Sequence, residues 1–130
     1  HPALVLLKSK KNGAPNVDDD DVPEYLKASN APPKENSWDT DENWFQRWEW
    51  VMDEMIWSFA QKLNVDHDAQ FYSGTHDVQF IKSKEYPFHS KMLRGPNDTF
   101  KIDMEGLDKH EARIQNGFRL FGKYYQALWD

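Results

Sequence analysis

Apolar residues recur three and four apart over Asp41–Leu63, where Trp44, Phe45, Trp48, Val51, Met52, Met55, Ile56, Phe59 and Leu63 form one stripe of a helix. Asp39 and Glu42 have the spacing of a capping box, and Asp41 and Glu42 place negative charge at the positive end of the helix dipole. A second helical pattern starts near Glu105–Leu107 and runs to the C-terminus, with Leu107, Ile114, Phe118, Phe121, Tyr125 and Leu128 on one face. Gly117 and Gly122 interrupt that pattern, each at a cost of about 1 kcal/mol relative to alanine. They fall on the two shoulders of the apolar face, about 140° apart. The placement predicts a close neighbour on each side, and so a helix wedged between other elements.

Between the helices the period changes from 3.6 to 2. Val78 and Phe80 alternate with Asp77 and Gln79, and Phe100, Ile102 and Met104 alternate within Thr99–Met104. The two runs predict one antiparallel hairpin joined across a long connection holding Pro87 and Pro96. It must pack on something larger, because an isolated two-stranded ribbon is marginal. Ahead of the first helix, residues 1–11 read as a helix end with Lys8, Lys10 and Lys11 in its last turns, stopped by Asn12-Gly13 and Pro15. Asp21 is placed to cap a short helix beginning at Val22 or Pro23. The stretch Ala28–Ser37 has no periodicity and two adjacent prolines, which makes it a loop, held on the body because Trp38 follows it. The predicted fold is a mainly α, α+β single domain over residues 1–130. An N-terminal part (1–38) of helix end, short helix and loop packs on a helix–hairpin–helix core (39–130). A chain that opens on His1 rather than Met, inside what reads as a helix, reads as a piece of a longer one.

Composition narrows the function more than the fold. The chain has 130 residues, no cysteine and a net charge of −6. The absence of cysteine excludes disulfides, thiolate zinc sites and thiol catalysis, and the acidic balance argues against a general nucleic-acid binder. No apolar run approaches the roughly 18 residues that a membrane span needs. Aromatic residues make up 15%, with six tryptophans, so the placement of those rings decides much. Trp50 and Trp57 lie a heptad apart on the side of the first helix away from its main stripe, with Asp53 between them. They need a cover. Either an N-terminal segment (Leu4–Leu7 or Tyr25–Leu26) packs there, or the rings form a self-association or partner surface.

Candidate chemistry is sparse. His67 and His76, with Asp66 and Asp68, are the candidate metal ligands, but no H-E-x-x-H or other fixed-spacing motif supports them, and loop polar residues turning the chain explain them as well. They would underlie a metal-dependent hydrolase. The run Asp18–Asp21 lacks the alternation, central glycine and closing glutamate of a calcium loop. Arg113, Arg119 and Lys123 on the polar side of the last helix are candidate anion-binding residues for a nucleotide or signal-molecule sponge, or form pairs with Asp53 or Glu54. No phosphate-binding glycine loop and no nucleophile motif is present. No cofactor is implied.

The stretches "KNGAPNVDDDDVPEYL", "ENSWDTDENWFQRWEWVMDEMIWSF" and "RIQNGFRLFGKYYQALWD" resemble a family of uncharacterised proteins of tailed bacteriophages, over most of the chain. The resemblance transfers no functional residue. It implies a phage product in the cytoplasm of the infected bacterial host or in the virion. A non-catalytic role in binding itself or a host protein then becomes the leading expectation.

Overall fold

A computed structural model of the chain describes residues 14–86 and 88–128. The helix end expected at residues 1–11 lies outside them. The fold is α+β, with two long helices and small antiparallel strand pairs. Helix α1 spans Trp44–Leu63 and α2 spans Met104–Lys123, followed by a 3-10 turn at Tyr125–Leu128. Helix α1 starts later than its sequence pattern, and the Asp39/Glu42 capping box does not form. Asp39 instead accepts from the Asn36 side chain at 3.1 Å. Asp41 accepts the Asn43 backbone N–H at 2.9 Å and takes the guanidinium of Arg47. Two carboxylates are thereby engaged before the helix begins, and Asn43 occupies the cap position without a side-chain bond.

The described residues cluster into two compact units, one of residues 14–65 and 111–128, the other of residues 66–110. In the first, Val51, Met52 and Met55 of α1 meet Leu120 of α2 and Tyr124 just past its end, and Val17, Val22, Leu26 and Leu128 close the same core. Trp48, Trp50, Ile56, Phe59 and Phe121 pack around it. Full burial of each large apolar side chain contributes about 2 kcal/mol. The expected stripe of α1 is buried only in its middle, since Phe45 and Leu63 at its ends are exposed.

The buried side of α2 is centred on Gly117, not flanked by it. Ile114, Gly117, Leu120 and Tyr124 are buried while Tyr125 is exposed, which turns the face by roughly 70° from the one the apolar pattern suggests. A Cβ at Gly117 would collide with the Ser58 side chain and approach the Glu54 carbonyl oxygen, so this glycine is what lets α1 and α2 come together. The neighbour expected at Gly122 is absent: among the described residues no atom lies within 4 Å of where its Cβ would stand. Phe59 fills the seam beside Gly117, edge-on to Phe118 and Phe121 with centroids 5.0 and 5.2 Å away.

Before α1 the chain makes three 3-10 turns, Asp19–Asp21, Glu24–Leu26 and Ala28–Asn30, where a single short helix was expected. Asp21 caps none of them. Asp19 accepts the backbone N–H groups of Ala28 and Ser29 at 2.7 and 3.2 Å, folding the turns onto one another.

In the second unit β1 (Tyr72–Ser73) pairs with β4 (Lys101–Ile102), and β2 (Val78–Lys82) pairs with β3 (Ser90–Arg94), both antiparallel. The expected partnership of 77–82 with 99–104 is therefore wrong. The connection between them holds its own strand, which closes a loop of residues 83–89 instead of a much longer one, at a smaller entropic cost. The alternation in Thr99–Met104 yields only two strand residues because Asp103 turns the chain. Its N–H donates to the Phe71 carbonyl at 2.7 Å, and its carboxylate accepts the Gly106 N–H at 3.0 Å. That is an N-cap, and α2 begins at the next residue.

Candidate interaction surface

The two tryptophans for which the sequence offered either an internal cover or a partner surface are half-buried. Trp50 packs against the core of the helical unit. Trp57 lies under the guanidinium of Arg113, whose central carbon sits 3.8 Å from the ring centroid, and the same guanidinium pairs with Glu54 at 3.0 Å. Asp53 is exposed on α1. Cover for Trp57 thus comes from Arg113 of α2, and Trp50 lies against the core cluster.

Arg119 and Lys123 meet a carboxylate of the N-terminal segment. Asp21 is buried and accepts from Arg119 Nη2 at 2.8 Å, from Lys123 Nζ at 2.6 Å and from the Tyr124 hydroxyl at 2.6 Å. Lys123 also reaches Asp18 at 2.6 Å, and the Asp18 backbone N–H donates to the Tyr124 hydroxyl oxygen at 3.0 Å. Burial pushes the Asp21 carboxyl up, but the bonds from Lys123, Tyr124 and Arg119 outweigh it and hold the group below its ordinary value. Lys123 is raised, first by its bond to Asp18 and then by Asp21. All three cations proposed for an anion site are held by carboxylates of the same unit.

Arg47, which the sequence does not single out, is buried in α1 and binds Asp41 through both Nη atoms at 2.7 and 2.6 Å. It also donates to the Leu26 carbonyl at 3.1 Å. This bidentate bond lowers Asp41, with burial working against it and the Asn43 N–H adding to it. Two ionic clasps therefore tie the irregular N-terminal segment down, one to each long helix.

The histidines sort differently from their sequence neighbourhoods. His67 Nδ1 lies 3.1 Å from Nε2 of His110, the rings stacked with Phe71 tilted against His110. His76 stacks on Phe100 with centroids 3.8 Å apart. Asp68 accepts from the Tyr72 hydroxyl at 3.5 Å, and Asp66 is exposed. His67 and His76 thus have different partners, and among the described residues no three His, Cys, Asp or Glu side chains group to hold a metal ion. Nor is any described helix long and apolar enough to cross a membrane.

Trp38, Phe45, Leu63 and Val65 are exposed one by one in the helical unit, and the β2–β3 ribbon exposes apolar side chains on both of its faces. Register puts Val78 opposite Arg94, Phe80 opposite Met92 and Lys82 opposite Ser90 on one face, with Gln79–Leu93 and Ile81–Lys91 on the other. Phe80 is 70% exposed and Met92 64%, and Ile81 and Leu93 are exposed on the opposite face. In the turn Tyr86 is exposed and Phe88 is 98% exposed. Exposed contiguous apolar side chains of this kind mark contact surfaces. The sequence offered half the signal: the alternation of β2 was visible, but β3 reads Ser-Lys-Met-Leu-Arg, in which two adjacent apolar residues hide the period.

Comparison with protein families, curated proteins and solved structures gives no match to this chain.

Proposed function

We propose that this chain is a non-catalytic binding protein that works through its β2–β3 ribbon, by associating with itself or by capturing another protein. The observation that carries the reading is the ribbon itself. Phe80 and Met92 face each other across the strands and stay largely exposed, although an unsupported two-stranded ribbon is marginal in water. The helical unit has a buried core shared by its two helices, and most of its cations have a carboxylate partner within it. Among the described residues, the ribbon's three lysines have none. The resemblance to tailed-phage proteins adds the setting: a phage product in the host cytoplasm or in the virion, with a host protein as the non-self partner.

The test compares two double variants of the full chain. Phe80→Ser with Met92→Ser is expected to keep the helical circular dichroism and the thermal midpoint within a few degrees, and to abolish self-association or co-purification of a partner. Trp50→Ala with Trp57→Ala removes packing from the helical unit and is expected to lower the midpoint instead. Loss of binding in a still-folded tryptophan variant, with the ribbon variant binding normally, would overturn the assignment.

A further inference from the structure

The cations of the helical unit and of the ribbon are paired to different extents. In the helical unit Lys27, Arg47, Lys62, Arg113, Arg119 and Lys123 each have a carboxylate partner, and Lys34 donates to the Ser37 carbonyl. On the ribbon Arg94 pairs with Asp98 at 2.8 Å. Among the described residues Lys82, Lys84 and Lys91 have no carboxylate within ion-pair distance. This is unusual in a chain with 22 acidic and 16 basic residues. Lys82, Lys84, Lys91 and Arg94 against Glu85 give residues 78–94 a net charge of +3, so the remainder of a chain of −6 carries −9. The ribbon is a basic, apolar element in an acidic protein.

The complementary surface is on α1. Phe45, Glu49 and Asp53 follow one another four residues apart and are all exposed, with exposed Glu42 just ahead of the helix. Phe45 is 60% exposed. The apolar-to-charge spacings agree: Phe80 to Lys82 is two strand residues, about 7 Å, and Phe45 to Glu49 is four helix residues, about 6 Å.

We infer that the occupant of the ribbon is a second copy of this chain, the Phe80–Met92 face of one copy lying on the Phe45–Glu49–Asp53 stripe of the other. The inference rests on the ribbon being the binding surface, and it chooses self over a foreign protein. A nucleic acid would satisfy the lysines, but its phosphate backbone would leave Phe80 and Met92 without an apolar counterpart and would face repulsion from the rest of an acidic chain. A second copy supplies acid and aromatic ring together.

A charge swap tests this. Lys82→Glu reverses the charge on the Phe80–Met92 face, and Glu42→Lys with Glu49→Lys makes the stripe basic. Each variant alone is expected to self-associate at least ten-fold more weakly than the unmodified chain in sedimentation equilibrium, because each sets like charges against one another. The two variants mixed are expected to associate with near-original affinity, because both contacts become complementary again. Circular dichroism confirms that each is folded. An unmodified chain that stays monomeric at all concentrations, or a mixture that shows no recovery, overturns self-docking. So does wild-type binding to a fluorescent single-stranded oligonucleotide that the Lys82→Glu variant loses. A monomeric chain whose Phe80→Ser, Met92→Ser variant loses a foreign protein partner defeats self-docking but leaves the ribbon as the binding surface. Failure of both assays defeats both.

Discussion

At the scale of single residues, two glycines in one helix have opposite roles. Gly117 stands where α1 and α2 meet, and any side chain there runs into Ser58. Gly122 is exposed, with open space about its Cβ position among the described residues. Gly117→Ala is therefore expected to destabilise the protein by about 2 kcal/mol through overpacking. Gly122→Ala is expected to stabilise it by about 0.5–1 kcal/mol, through helix propensity and a less flexible unfolded chain. Urea titration of the two variants side by side checks both signs. The sequence shows that two helical glycines need explaining, but it cannot show which one touches a neighbour. That depended on the turn of the buried face, which Tyr124 decides by entering the core while its hydroxyl binds Asp21. A face drawn from apolar residues alone favours Tyr125 and misses it.

At the scale of elements, the helices were legible and their attachments were not. The stripe of α1 and the apolar face of α2 come from a short-range period that a single sequence displays. Asp21, by contrast, is one of four consecutive aspartates, and nothing local separates it from Asp20. Its role arises from Arg119 and Lys123 about a hundred positions away. Arg47 pairs with Asp41 only six positions away, but no sequence motif marks that pair, and two adjacent apolar residues in β3 hide the period that would have paired it with β2.

The Asp21 clasp carries a sign that can be worked out. The folded carboxyl lies below its ordinary value, so the clasp contributes fully above about pH 4, the range of an unfolded aspartate. The contribution is lost as pH falls through the depressed folded value. Asp41 is lowered too, first by its bond from Arg47, and acts in the same direction. Asp21→Asn is expected to cost about 3 kcal/mol at pH 7, because it removes the charge between two cations at a buried position. It should also flatten the acid limb of the stability profile between pH 5 and 2, relative to the unmodified chain. Chemical denaturation across that pH range measures both. An unchanged acid limb would mean that Asp21 is not the clasp.

For the whole molecule, the two units divide the work. The helical unit pairs most of its cations internally and packs Trp50 and Trp57, which the sequence offered as a surface, within itself. The β2–β3 ribbon leaves Phe80 and Met92 exposed and, among the described residues, three lysines without a carboxylate, and that contrast is the case for a binding protein whose partner is a second copy. The most direct measurement is sedimentation equilibrium of the full chain over a wide concentration range at low and high salt. The account predicts reversible association, weakened several-fold at high salt as the lysine–carboxylate contacts are screened, and absent in the Phe80→Ser, Met92→Ser variant. A monomer at every concentration and both salts, or association that the ribbon variant retains in full, would contradict it.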